Sequence, residues 1–246
     1  MYRTLNSAKI VDTLEALERR ISARFYKSGL TKVCNELTAI ARESSARVEQ
    51  IGRRNLPLRL GVAAILIGGM WLLVRVVPLL SFEKLTADNV YSVLQGVDAA
   101  LNILLVMGAV VLFLVTVEER VKRKRALDAL HELRSIIHVI DMHQLTKDPS
   151  VVGVSGPETA ASPKRTLTPF ELTRYLDYCS EMLSLSAKVA ALYAQSFPDP
   201  VVTEAVSDLE RITANLSQKI WQKISLVQSL AAHDRAHGPA LPAAAG

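Results

Sequence analysis

Two long apolar segments, residues 58–80 and 99–117, constrain this chain more than any other feature. The first has an uncharged core, and the only strongly polar member of the second is Asn102, near its start. About 20 apolar residues let an α-helix cross the hydrocarbon core of a bilayer. Burying two such helices in a soluble protein would need a core that the polar remainder of the chain hardly supplies. The sequence therefore predicts a transmembrane hairpin over residues 57–118, with an outside loop at 81–98.

Basic residues flank the two spans on the side away from the connecting loop. Lys and Arg near the ends of a span are retained in the cytoplasm, whereas the loop holds one Lys against three acidic residues. We therefore predict a multi-pass inner-membrane protein with both termini cytoplasmic. The same basic side chains are expected to contact anionic lipid headgroups. They are Arg53, Arg54, Arg59, Arg120, Lys122, Arg123, Lys124 and Arg125.

Composition adds two expectations. The net charge of +5 lies largely beside the predicted spans and lacks interleaved aromatic residues or a known binding fold, so no nucleic-acid partner is expected. Few aromatic residues and many Ala and Arg suit a bacterial membrane. Cys34 and Cys179 fall in segments predicted to be cytoplasmic, where disulfides are rare. Each is predicted to be a small buried side chain without a disulfide.

The segment before the first span, residues 1–56, has the pattern of a cytoplasmic helical hairpin. Its apolar residues recur three or four positions apart, which places them on one face of each helix. Asn6 or Ser7 is expected to cap the first helix, Ser28-Gly29 to break it, and Thr31 to cap the second helix.

After the second span, the chain is predicted to continue as helix, then linker, then a second hairpin. No breaker interrupts the helix before about residue 145, and a Pro-, Gly- and Ser-rich stretch follows. The predicted divisions are a cytoplasmic helix at 119–145, a flexible linker at 146–167, a C-terminal cytoplasmic helical hairpin at 168–235, and a disordered tail at 236–246.

The C-terminal hairpin has strong start signals. Thr168-Pro169-Phe170-Glu171 combines a capping hydroxyl, a proline at the first helical position and a Glu three residues after the cap. Asp199-Pro200 repeats the cap and proline at the start of the last helix.

Together these patterns predict an all-α protein: a two-span transmembrane helical hairpin with a cytoplasmic helical bundle or coiled-coil-like hairpins. Each apolar stripe must be buried against another helix. The stripes can pack within one bundle or pair between subunits, and packing within one chain is favoured when several such helices share it. A lone pair of spans buries little area, so a homo-oligomer is also expected.

The sequence contains no motif that predicts catalysis, a cofactor or a metal. His131-Glu132 begins like a zinc-protease motif, but Ser135 stands where the second His is needed. His131 and His138 share a helix face but lie about 10.5 Å apart along it, too far to bind one metal. An enzyme is therefore not predicted. The aromatic residues of the C-terminal hairpin are interpreted as core: Tyr175, Tyr178, Tyr193 and Trp221.

Three polar residues in or beside the spans are the candidate site residues. Arg75 lies about 26 Å along the first span, near the edge of a hydrocarbon core about 30 Å thick. It is predicted to anchor the helix by reaching the outer surface or by pairing with Asp98, with pore lining as the alternative. Asn102, one turn deeper than Asp98, is expected to hydrogen-bond across helices or between subunits.

These features lead to a function hypothesis and two alternatives. The first is a non-enzymatic, oligomeric inner-membrane protein whose cytoplasmic helical bundle binds a protein partner or scaffolds an assembly. The second is a pore-forming or membrane-perturbing effector in which Arg75 and Asn102 line the axis. The third is an accessory subunit of a transporter.

Overall fold

A computed structural model describes residues 4–52, 56–76, 87–147 and 167–237. All elements within these ranges are α-helices, which confirms the predicted all-α class for this part of the chain. They are α1 Ser7–Arg24, α2 Gly29–Gly52, α3 Leu56–Val76, α4 Ala87–Leu145, α5 Pro169–Ser196 and α6 Pro200–His237.

The chain divides into two compact units. The bundle unit comprises Met1–Gly52 and Ala126–Gly246, and the apolar unit comprises Arg53–Arg125. The bundle unit is therefore assembled from two stretches of sequence separated by the whole apolar unit. Helix α4 contributes residues to both units.

The bundle unit is held together by one hydrophobic core to which five helical segments contribute: α1, α2, residues 126–145 of α4, α5 and α6. In α1 the buried residues recur four, three and four positions apart, as the sequence predicts: Ile10, Leu14, Leu17 and Ile21. Fully burying an aliphatic side chain of this size stabilises a fold by about 1.5–3 kcal/mol. The prediction that these helices pack into one bundle within the chain is confirmed.

Most of the predicted helix starts in the bundle unit are confirmed. The Asn6 side chain accepts a hydrogen bond from the Lys9 backbone N–H. Thr168 and Glu171 form the complete capping box, with Pro169 inside the first turn. The Asp199 carboxylate accepts hydrogen bonds from the next two backbone N–H groups that the helix leaves without partners, at 3.0 and 3.2 Å.

The predicted cap of α2 is wrong. Helix α2 begins at Gly29, and the Ser28 hydroxyl accepts the Thr31 backbone N–H at 3.2 Å, so Ser28 is the cap. Thr31 lies inside the first turn, where its buried hydroxyl donates to the Phe25 carbonyl at 2.7 Å. Ser and Thr are both good capping residues. Because α2 begins at Gly29, Ser28 is the residue directly before the helix.

One described helix is long and apolar enough to cross a membrane. This stretch is Leu94–Leu145 of α4, which begins in the apolar unit and continues into the bundle unit, and its most apolar window has a mean hydropathy of 2.7. The apolar part of α3, Leu60–Leu72, is shorter, and residues 77–80 of the predicted first span lie outside the described residues. The structure thus supports one candidate span and does not confirm the two-span hairpin.

Three other predicted segments, the outside loop, the linker and the tail, fall partly outside the described residues. Helix α4 begins at Ala87, so residues 87–98 of the predicted outside loop are helical. Helix α4 ends at Leu145, as predicted for the continuation of the second span. The predicted linker lies outside the described residues except at its two ends, and of the predicted tail only the last residues of α6 are described.

Candidate functional site

The candidate functional site is the apolar stretch of α4 and the basic residues that follow it. None of the most apolar window of α4 is buried. Leu105 is 71% exposed, Leu112 69% and Phe113 67%. Helices that bury one face against a protein core are apolar along one stripe, whereas this stretch of α4 has large apolar side chains on all its faces. Such a surface is typical of a membrane span or a large interface.

A cluster of basic residues follows the apolar stretch on the same helix. We name it the basic collar: Arg120, Lys122, Arg123, Lys124 and Arg125. Because an α-helix turns once every 3.6 residues, about six consecutive positions distribute these charges around the whole circumference. Lys122 pairs with Glu118 one turn earlier at 2.7 Å, while Arg120, Lys124 and Arg125 are exposed. Arg120, Lys124 and Arg125 are therefore placed to meet anionic groups beside α4.

Three further basic residues were predicted to contact lipid headgroups. Arg53 and Arg54 lie outside the described residues. Arg59 lies within α3. Their predicted role stays a prediction.

The polar residues predicted in or beside the spans each contact a neighbour in their own helix. The Arg75 guanidinium carbon lies 5.2 Å from the centroid of the Trp71 ring, one turn earlier in α3. The Asn102 Nδ2 donates to Asp98 Oδ2 at 3.3 Å, one turn apart in α4. Arg75 thus has a cation–π partner within its own helix. The anchoring and pore-lining roles of these residues stay predictions.

The two helices of the apolar unit approach closely at one glycine. A Cβ added to Gly69 of α3 would collide with the Met107 side chain of α4. Small residues permit such close approach between spanning helices.

The bundle unit contains a polar cluster that was not predicted from the sequence. Gln144 is 1% exposed, and Lys223 Nζ donates to its backbone carbonyl at 2.9 Å and to its Oε1 at 2.6 Å. The Gln144 Nε2 donates to Asp141 Oδ1 at 2.6 Å. Because α4 ends at Leu145, the Lys223 ammonium satisfies a terminal carbonyl and opposes the negative end of the helix dipole. The feature of the sequence that could have indicated this cluster is Lys223, a lysine within the apolar stripe of α6.

A second polar contact, between His143 and Tyr175, joins α4 to α5. The His143 Nδ1 and the Tyr175 hydroxyl are 3.2 Å apart, and a Cβ added to Gly29 would lie 2.5 Å from His143 Cε1. Burial and then the positive charge of Lys147 lower the pKa of His143, and burial raises the pKa of Tyr175. Both side chains are therefore neutral near pH 7. This pair packs the end of α4 against α5 and the start of α2.

The predicted core aromatic residues are confirmed with one exception. Tyr175, Tyr178 and Tyr193 are buried. The prediction for Trp221 is wrong, because its side chain is 60% exposed, whereas that of Ile220, the preceding residue, is fully buried. A shift of one position turns a helical side chain by about 100°.

The histidines and cysteines of the bundle unit lie as predicted. His131, Ser135 and His138 are exposed on the outer face of α4. Cys34 and Cys179 are free and fully buried, and burial raises the pKa of each thiol to about 12. Within the described ranges, no group of three or more His, Cys, Asp or Glu side chains is placed to hold a metal ion.

Comparison with models of known protein families, with curated proteins and with solved structures finds no match for this chain. Its function is therefore inferred from its own residues.

Proposed function

We propose that the protein is a non-enzymatic, oligomeric protein of a bacterial inner membrane, anchored by its apolar unit, whose bundle unit binds a protein partner or scaffolds an assembly in the cytoplasm. One observation carries this proposal. Helix α4 is a single helix in which an exposed apolar stretch is followed by the basic collar and then by residues of the bundle core.

The basic collar supports the proposed cytoplasmic location of the bundle unit. A basic residue near an anionic membrane surface contributes about 1 kcal/mol to attraction, and the collar begins two residues after the apolar stretch, with Arg120, Lys124 and Arg125 exposed. Basic residues at the end of a span are retained on the cytoplasmic side. The bundle residues that follow the collar in α4 are then cytoplasmic.

The contacts of the polar residues favour structural roles over catalysis. The Lys223 ammonium is held by the end of α4, and the neutral His143 and Tyr175 pack three helices together. Burial suppresses ionisation of both thiols, and the thiolate is the reactive form of cysteine. The proposed activity of the bundle is therefore binding.

The Arg75 contact favours anchoring over pore lining. Trp and Arg are both suited to the edge of a membrane, where a ring remains in the apolar layer and a charge reaches water. The guanidinium of Arg75 lies over the Trp71 ring, as expected for such an anchor.

The proposal can be tested by cysteine labelling, because the two native thiols are buried and mostly protonated at neutral pH. Tyr91 is 78% exposed in the segment expected outside, and Met142 is 65% exposed in the bundle unit. Intact cells carrying Tyr91→Cys should react with a membrane-impermeant maleimide. Met142→Cys should react only after the membrane is opened.

The unmodified chain serves as the unlabelled control, and alkaline carbonate washing measures anchoring. Labelling of Met142→Cys in intact cells would reverse the proposed orientation. Release of the protein into the carbonate wash would show that the apolar unit does not span the membrane.

A further inference from the structure

A surface groove lies between α2 and the bundle part of α4. It has a volume of about 480 Å³. Three residues from α2 and three from α4 define it here, at the same spacing of four and three positions: Glu36, Ile40 and Glu43, and Glu132, Ile136 and Val139. This spacing places one continuous face of each helix along the groove.

The floor of the groove is apolar. Val139 is 37% exposed, Ile40 is half-buried, and Ile136 is buried beside them. A trough between two adjacent helices has the shape that receives the ridge of a third helix. An amphipathic helix recognises such a trough with apolar residues at positions i, i+3, i+4 and i+7.

The rim of the groove is acidic. Glu43 and Glu132 both pair with Arg47, at 2.8 and 2.7 Å, and Glu36 supplies a third carboxylate. Among the described residues that line the groove there are three glutamates and no Lys or Arg, and Arg47 offsets one of the three negative charges. The local charge is therefore negative, although the whole chain carries a net charge of +5.

The charge of the rim distinguishes between possible occupants. If two copies paired through this groove symmetrically, the same acidic residues would face one another and repel. A helix with Lys or Arg beside its apolar ridge would instead meet charges of opposite sign.

We propose that this groove binds an amphipathic, basic helix of a protein partner. The apolar ridge of that helix covers Ile40, Ile136 and Val139, and its Lys or Arg side chains face the glutamates of the rim. This inference depends on the proposed function, because it specifies the partner that the bundle unit binds.

The test is a selection of displayed helices on the full-length chain in lipid nanodiscs. The library fixes leucines at the ridge positions and varies the flanking positions among Lys, Gln and Glu. We expect Lys to be enriched over Glu by roughly tenfold or more at the flanks. The selected helices are then measured on two matched variants, Val139→Asp in the groove and Val201→Asp on α6, whose valines are similarly exposed.

The expected result is a loss of affinity of roughly tenfold or more with Val139→Asp and less than about twofold with Val201→Asp. A combined Glu36→Lys and Glu132→Lys variant should reverse the flank preference from Lys to Glu, which a fold defect does not do. Circular dichroism checks that each variant keeps its helices.

Three outcomes would overturn the proposal. They are a failure to enrich any helix, enrichment of acidic or neutral flanks, and equal binding to Val139→Asp and the unmodified chain. Native mass spectrometry adds a fourth: if Val139→Asp splits an oligomer, the occupant is a second copy. The selection measures only the binding of helices to the groove. It can therefore fail while the labelling and carbonate tests of the proposed function succeed.

Discussion

The two units are both rich in apolar residues and differ in where those residues lie. In the bundle unit, apolar residues recur three and four positions apart, and most of those on the inner faces are less than a tenth exposed. In the apolar unit they occupy all faces of α3 and α4, and many are more than half exposed. One helix, α4, contains both patterns.

This difference shows that the spacing of apolar residues, rather than their number, sets the environment of a helix. Leu133 and Leu105 are both leucines of α4, yet Leu133 is fully buried and Leu105 is 71% exposed. A striped segment needs other helices to cover one face, and a segment that is apolar all round needs an apolar surrounding.

The largest effect is expected from charges placed in the apolar stretch. An Arg near the centre of a span costs about 2.5–3.5 kcal/mol on insertion scales. The double variant Leu105→Arg and Leu112→Arg should therefore lose membrane insertion, measured as release into an alkaline carbonate wash. Met142→Arg, at an exposed site of the same helix in the bundle unit, should stay in the membrane. Equal retention of both variants would argue against the span.

A smaller effect is expected from matched truncations of the two leucines. Leu133→Ala should lower the free energy of unfolding of the bundle by about 2–5 kcal/mol, because it leaves a cavity in the core. Leu105→Ala should change it by less than about 0.5 kcal/mol. Urea unfolding can be followed by maleimide labelling of Cys34 and Cys179, which are buried in the folded chain. Similar losses in both variants would contradict the separation into two environments.

Two glycines provide a sharper comparison of packing. Gly29→Ala would place a Cβ 2.5 Å from His143 Cε1 and should cost about 1–3 kcal/mol of bundle stability. Gly61→Ala meets no atom within 4 Å and should leave the bundle unchanged. Because His143→Ala removes the clash along with the Tyr175 contact, the double variant Gly29→Ala/His143→Ala should lose less stability than the sum of the two single variants. Additive losses in the double variant would show that the contact is not the cause.

The smallest effect concerns the pH dependence of stability. Burial raises the pKa of the Cys179 thiol from 9.0 to about 12. The unfolded chain then loses its proton first, so the stabilisation is complete below pH 9 and is lost as the pH rises toward 12. At pH 10, ionisation of each such thiol in the unfolded chain should lower the free energy of unfolding by about 1.4 kcal/mol relative to pH 8. Between pH 8 and pH 10 the Cys179→Ala variant should lose about 1.4 kcal/mol less free energy of unfolding than the unmodified chain, as measured by urea unfolding. An unchanged pH dependence would contradict the burial of the thiol.

The helices and their ends could be predicted from the sequence because local chemistry determines them. The capping box at Thr168 and the end of α4 at Leu145 depend on residues a few positions apart. The inner face of each bundle helix followed from the spacing of its apolar residues. Trp221 shows the limit of this reasoning, since a shift of one position moved it from the core to the surface.

The partners of those faces could not be predicted, because periodicity identifies a buried face without identifying what covers it. Arg47 pairs with Glu132 from 85 residues away, and Lys223 reaches Gln144 from 79 residues away. The groove between α2 and α4 arises only once those two helices are adjacent. For the apolar unit, composition predicted spanning helices, and the described residues support that prediction for α4 alone.

The division of the bundle unit in sequence has a consequence for its synthesis. Helices α1 and α2 leave the ribosome before the roughly 70 residues of the apolar unit, while their remaining partners come afterwards. At about 5–20 residues per second, that delay is roughly 4 to 14 s. During this interval the stripes of α1 and α2 have only each other to cover them. Transiently uncovered apolar stripes favour aggregation, so this interval is when α1 and α2 are most prone to it.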